Sequence, residues 1–236
     1  TVTTDGAVSG NAVNIESTTA DLDINNTVTS DVGGVTLTAE TNIVTEAGDT
    51  ILGADAVTIT ADGTVTLADT VTATGGILTI TADADNDDTG NVATDLLISG
   101  TSVTVRGFDI ALDQVTATAG DVTVSAENSL TTQDGGAQVV LASNSIVLSS
   151  GTTMAVDALT ATGGDLTATA GTTFVNAGAL AADAGTLSIT GADGQVDIDG
   201  TLSANSINVE STTATVDITT TVTTDTGGVT LIAGGD

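Results

Sequence analysis

A short motif, in which two apolar residues flank one residue that is usually polar, recurs eleven times along the 236-residue chain. The first apolar positions run from Val13 to Val229 in ten steps of 19 to 25 residues, so the mean step is about 22. This spacing indicates a repeat architecture in which one unit is stacked on the next. The apolar pairs are Val13/Ile15, Val35/Leu37, Val57/Ile59, Leu78/Ile80, Val103/Val105, Val122/Val124, Ile146/Leu148, Leu166/Ala168, Leu187/Ile189, Ile207/Val209 and Val229/Leu231.

The residue two places before each pair supports this phase. Ten of these eleven residues are Gly, Asn or Asp, and the exception, Thr101, follows the longest step. Because these three residue types tolerate positive φ, we expect sharp corners with that conformation before each strand. The corner residues are Asn11, Gly33, Asp55, Gly76, Thr101, Gly120, Asn144, Gly164, Gly185, Asn205 and Gly227.

One repeat has room for three short strands, as in residues 57–76, where VTIT, TVTLA and VTAT are separated by DG, DT and GG. Stacked repeats place each strand parallel to the next about 4.8 Å away, with alternate residues inward and the intervening Thr outward. The prediction is an all-β fold, a single continuous parallel β-solenoid over 1–236 with about eleven turns and no capping elements. An antiparallel sandwich would show larger periods and usually a Trp core, and the chain has no Trp.

A longer period lies over the short one. Residues 1–42 align without a gap on residues 195–236, an offset of 194 residues, with 23 of 42 positions identical. The offset spans nine turns, so we expect residues 1–194 to be one module and residues 195–236 to begin the next. The pattern starts and stops in mid-repeat, and we therefore expect a segment of a longer protein.

Composition excludes several classes of function. Arg106 is the only cationic residue against 31 Asp and Glu, a net charge of −30, which rules out binding to a phosphate backbone. The absence of His and Cys removes the usual Zn sites, thiol nucleophiles, Ser-His-Asp triads and disulfides. No apolar run reaches 18 residues, so no membrane insertion is expected. We predict no enzymatic activity and no organic cofactor.

Four aspartates form the one local motif with metal-ligating character. Asp83, Asp85, Asp87 and Asp88 lie in the longest repeat, and their alternating spacing is typical of a calcium loop. The sixth position of such a loop is normally Gly and the twelfth Glu, whereas here they are Asp88 and Thr94. Two readings follow: a calcium site, or a solvated insertion loop.

The surface raises two further hypotheses. Eleven turns spaced by about 4.8 Å would carry roughly one net charge per 1.8 Å, close to the density of duplex DNA. Divalent cations could then bundle such rods laterally, or the charge could serve only solubility. Outward Thr ladders, in which Thr36 and Thr38, Thr58 and Thr60, and Thr79 and Thr81 stack in file, suggest ice binding, but Arg106 interrupts the file and the turns vary in length.

Two segments carry a family resemblance: DALTATGGDLTATAGTTFVNAG, residues 157–178, and QVTATAGDVTVSAENSL, residues 114–130. Both resemble the β-solenoid repeats of filamentous-haemagglutinin-type proteins. The resemblance implies a structural shaft of a long extracellular or cell-surface filament or adhesin. Its expected partners are neighbouring modules or identical subunits joined end to end. The alternative is an adhesin module that itself binds a glycan or surface.

Overall fold

The computed structural model describes residues 1–132 and 138–235, and within these ranges every regular element is a β-strand. The chain is an all-β parallel β-solenoid of about eleven turns, as predicted. No helix in these ranges is long and apolar enough to cross a membrane. The chain divides into two compact units, residues 1–118 and 119–236.

The first unit contains five complete turns of three strands and two strands of a sixth. The strands are β1 (Val2–Thr4), β2 (Val8–Gly10), β3 (Val13–Ser17), β4 (Leu22–Ile24), β5 (Val28–Ser30), β6 (Val35–Ala39), β7 (Ile43–Thr45), β8 (Ile51–Gly53), β9 (Val57–Ala61), β10 (Val65–Leu67), β11 (Val71–Ala73), β12 (Leu78–Thr81), β13 (Val92–Thr94), β14 (Ile98–Gly100), β15 (Val103–Gly107), β16 (Ile110–Leu112) and β17 (Val115–Ala117).

The second unit continues the pattern with fewer, partly fused strands. They are β18 (Val122–Ala126), β19 (Leu130–Thr132), β20 (Gln138–Ala142), β21 (Ile146–Ser150), β22 (Met154–Val156), β23 (Ala158–Ala161), β24 (Leu166–Ala170), β25 (Phe174–Asn176), β26 (Leu180–Gly191), β27 (Val196–Ile198), β28 (Leu202–Ser211), β29 (Val216–Ile218), β30 (Val222–Thr224) and β31 (Val229–Ala233).

Within each unit a strand pairs in parallel with the equivalent strand of the next turn. In the first unit β6 pairs with β9 so that Leu37 faces Ile59, and β9 pairs with β12 so that Ile59 faces Ile80. The first strands advance from Val2 to Val216 in ten steps, about 21 residues each, near the predicted period. The sequence repeat therefore determines which residues pair between the strands of adjacent turns.

The core consists of the inward ladders that the repeat predicts. Leu37, Ile59 and Ile80 are fully buried, and the strands alternate buried with more exposed positions. Because β-strand side chains alternate between the two faces, the intervening Thr residues lie outward. In the final turn the corresponding Val229 and Leu231 are 45% and 54% exposed.

Two turns of the second unit differ from the predicted three-strand pattern. In β26 and β28 the second and third strands are continuous, and the corners predicted at Gly185 and Asn205 lie inside them. The two strands pair on both sides of a register irregularity between Ala182 and Thr186. A local irregularity replaces the corner here: residues 183–185 of β26 stand opposite the single residue 205 of β28, and the two extra residues are absorbed without ending the strand.

The explanation for the corner glycines also needs correction. Among the described residues only Gly48, Asp83, Asn86 and Asp88 have positive φ, and none is a predicted corner. The corner glycines instead allow close stacking. A Cβ placed on Gly76 would lie 2.4 Å from the backbone nitrogen of Ala56 in the preceding turn. Glycine is needed because another turn is too near for a side chain.

Candidate metal centre

The aspartate-rich segment is the loop 82–91 between β12 and β13. Both of its ends are held by the following turn. The backbone N–H of Ala82 donates to the carbonyl of Arg106 (3.0 Å), and that of Phe108 donates to the carbonyl of Gly90 (2.7 Å). Residues 84–89 project from these anchors, and 85–89 are exposed. The loop is therefore an insertion supported by ordered turns.

Asp83 is the residue at which the insertion begins. In the preceding turn the N–H of Asp62 donates to the carbonyl of Ala39 (3.2 Å), and one turn later Ala84, not Asp83, donates in the same way to Ala61 (3.2 Å). Asp83 is thus an extra residue at this corner, and it adopts φ 56°. Asp tolerates this left-handed conformation better than most residues.

The turn-back of the loop brings three of the four predicted ligands together. Carboxylate oxygens of Asp83, Asp85 and Asp87 all lie within 4.8 Å of one another. Asp83 is only 4% exposed, whereas Asp85 and Asp87 are exposed. The N–H of Asp87 donates to Oδ1 of Asp83 (2.9 Å), and the hydroxyl of Thr89 donates to the Asp87 carboxylate. These contacts orient the acidic side chains.

One oxygen of the cluster lacks a hydrogen-bond donor. Oδ2 of Asp83 is buried and has no partner among the described residues. A buried acceptor left without a donor costs stability, and a charged acceptor costs more than a neutral one. A hydrogen-bond donor or a cation bound to this oxygen would remove that cost.

Asp88, the fourth predicted ligand, is not part of the group of three, but one of its carboxylate oxygens lies within 4.8 Å of one of Asp83. It is exposed and has φ 65°. Gly90 closes the loop against Asp83: a Cβ at this position would lie 2.1 Å from the Asp83 backbone nitrogen. Alternating spacing therefore identified Asp83, Asp85 and Asp87, while the conformation at residue 88 turns the chain back.

The electrostatics of the cluster favour a bound cation. The pKa of Asp85 is raised above its ordinary value by desolvation and by the negative charges of Asp87, Asp62 and Asp83, in decreasing order. Repulsion between carboxylates of this kind is relieved when a positive charge lies between them. Asp62 comes from the preceding turn, so the field includes residues outside the loop.

The sequence interpretation missed this wider acidic corner. In three successive turns a Thr-Ala pair at the end of the third strand, or just beyond it, is followed by an acid, and those acids are Glu40, Asp62 and Asp83. Glu40 and Asp62 also line an open groove of about 310 Å³ together with Glu16. The tripeptide was a usable signal, because residues at similar positions of successive turns lie near one another.

The outward Thr file is present in the first unit. Thr36, Thr58 and Thr79 are in register on adjacent strands. On the neighbouring file Thr81 faces Arg106, which is exposed and interrupts the row. Arg106 was predicted from the sequence to interrupt the Thr file, and it does so in the structure.

The chain matches no protein-family model, no curated protein and no solved structure. The β-solenoid itself rests on the strand pairing described above. The resemblance to filamentous-haemagglutinin-type repeats rests on the sequence alone.

Proposed function

We propose that this chain is a structural shaft segment of a long extracellular or cell-surface filament or adhesin. Its function is mechanical: it spans distance, resists proteolysis and joins neighbouring modules or identical subunits end to end. The finer assignment to a filamentous-haemagglutinin-like family is part of the same proposal and is supported by the Thr-Ala-Gly-rich repeats.

The observation that carries the proposal is the identical register of two copies separated by 194 residues. In the first unit β3 pairs with β6, Val13 facing Val35; in the second unit β28 pairs with β31, Ile207 facing Val229. The accompanying corner repeats as well, since the N–H of Gly33 and that of Gly227 each donate across 2.6 Å to an Asn carbonyl one turn earlier. A module that repeats its backbone geometry in this way can be extended by adding copies.

Core composition supports a mechanical role. The inward ladders are built from Val, Ile, Leu and Ala, and Phe174 is the one buried aromatic residue of the described core, stacked between Met154 and Val196. Small apolar side chains fill most inward positions of successive turns, so one turn can stack on the next with similar packing. The chain also lacks His, Cys, Tyr and Trp, the residues most used for catalysis and sugar stacking.

Fibre diffraction of the native material tests the shaft. The expected result is a strand spacing of about 4.8 Å along the fibre axis and, for a nine-turn module, an axial repeat of roughly 43 Å. Discrete globular particles, or fibres without the axial strand spacing, would refute the proposal. A glycan array probed with the purified 236-residue chain addresses the alternative, because saturable binding of one glycan class would make this segment an adhesive module.

A further inference from the structure

The loop 82–91 holds a buried carboxylate that the protein itself satisfies only in part. Asp83 is 4% exposed; its Oδ1 accepts the Asp87 N–H, and its Oδ2 is buried without a partner among the described residues. The one cationic side chain of the sequence, Arg106, lies exposed on β15. A cation from solution is the remaining source of compensating charge.

The spacing of the neighbouring oxygens suits one particular class of cation. Calcium binds oxygen ligands at about 2.3–2.6 Å, so two oxygens on one ion can be no more than about 5.2 Å apart. The carboxylates of Asp83, Asp85 and Asp87 meet this limit pairwise. Magnesium demands near-ideal octahedral geometry at about 2.0–2.1 Å and gives up its water reluctantly, so a set of three carboxylates on an exposed loop suits it less well.

We propose that Asp83, Asp85 and Asp87 form a Ca²⁺ site, in which the buried Asp83 carboxylate anchors the ion and the two exposed carboxylates close over it. The proposal combines the buried unpaired oxygen, the convergence of three carboxylates and the acidic corner formed with Asp62. Water completes the coordination sphere, since calcium takes six to eight oxygen ligands.

Calcium at this position fastens the insertion to the solenoid. Asp83 is hydrogen-bonded through its N–H to the carbonyl of Gly63 (3.3 Å) in the preceding turn, while the other end of the loop is bonded to the following turn at Phe108. An ion shared by Asp83, Asp85 and Asp87 therefore orders the projecting residues 84–89 against both turns. Loss of the ion should loosen this segment without unfolding the turns that carry it.

Calorimetric titration of the full chain with CaCl₂ in about 0.15 M KCl tests the site, because that salt concentration screens diffuse attraction to the exposed charges. We expect one saturable site per chain with a Kd of about 10⁻⁴–10⁻³ M, the range of extracellular calcium modules. Asp85→Asn with Asp87→Asn should weaken binding at least tenfold. Asp83→Asn should do the same while it retains an acceptor for the Asp87 N–H.

The matched control is Asp5→Asn with Asp225→Asn, which removes two exposed charges elsewhere and should leave the Kd within twofold. Hydrogen exchange followed by mass spectrometry should show Ca²⁺-dependent protection of residues 84–89 in the parent chain and in the control, but not in the loop variants. Equal calcium binding by loop and control variants, or no saturable binding above the diffuse background, would overturn the proposal. Equal affinity for MgCl₂ would overturn calcium as the occupant.

Discussion

Replacing Ile59 by Ala tests whether the inward ladder holds the solenoid together. Ile59 is fully buried and faces Leu37 on one adjacent strand and Ile80 on the other. The substitution removes three buried carbons, worth about 0.8 kcal/mol each, and leaves a cavity, so we expect a loss of about 3–4 kcal/mol. Ile59→Asp should cost more, since it also buries a carboxyl group between two apolar side chains.

The control is Thr58→Ala, one residue away on the opposite face of the same strand. Thr58 is half-buried and faces Thr36 and Thr79, and its truncation should change stability by about 0.5 kcal/mol or less. Urea unfolding followed by circular dichroism measures the total change. Hydrogen exchange then locates it, because a defect in a repeat protein destabilises mainly the neighbouring repeats.

Equal midpoints for Ile59→Ala and Thr58→Ala would refute the assignment of inward and outward faces. A large effect of Ile59→Ala that left protection unchanged in the turns of β6, β9 and β12 would refute the stacking register.

Two further predictions concern corners of the first unit. Gly76→Ala should lower the free energy of unfolding by about 1–3 kcal/mol, since its Cβ would meet the Ala56 backbone at 2.4 Å. The control Gly6→Ala, whose Cβ would have nothing within 4 Å, should be nearly neutral in thermal denaturation. Equal melting temperatures for the two variants would contradict the close-stacking explanation. Hydrogen bonds from the Thr41 hydroxyl and the Asn42 side chain lower the pKa of Asp21 below its ordinary 3.8. The ionised Asp21 should therefore stabilise the folded state above that pH, and this contribution should disappear as the pH falls through the folded-state pKa. Asp21→Asn should flatten this acid dependence in unfolding curves between pH 2 and 5, and identical acid dependence in Asp21→Asn and the parent chain would contradict it.

Part of the candidate site could be predicted from the sequence. Alternating aspartates identified Asp83, Asp85 and Asp87, because residues two apart in a curling loop can direct their oxygens to one point. Asp88 lies within the same 4.8 Å of Asp83 but not in the group with Asp85 and Asp87, so the structure brings it to the buried carboxylate from a different position in the loop. Burial of Asp83 and the involvement of Asp62 could not be predicted in the same way, because both depend on where the preceding turn lies.

Other details depend on backbone atoms that are distant in sequence. The buried hydroxyl of Thr45 accepts the N–H of Ala68 (2.9 Å) from the following turn, so a polar residue at the end of a first strand satisfies a corner amide. Gly76 is required by the closeness of Ala56, although its residue type alone suggested a positive φ. Neither relation is visible before the turns are stacked.

The sequence by itself determined the all-β class, the period of about 21 to 22 residues and the inward ladders represented by Ile59 and Ile80. These features are periodic, because strand side chains alternate between two faces and each turn stacks on the next. The same pattern of apolar and polar residues is therefore present in every repeat of the sequence. Only the tertiary structure decided the irregular features: the fused strands β26 and β28, the crowding at Gly76 and the inward placement of Asp83. Each of these depends on how one turn accommodates the atoms of the next, which no single repeat encodes.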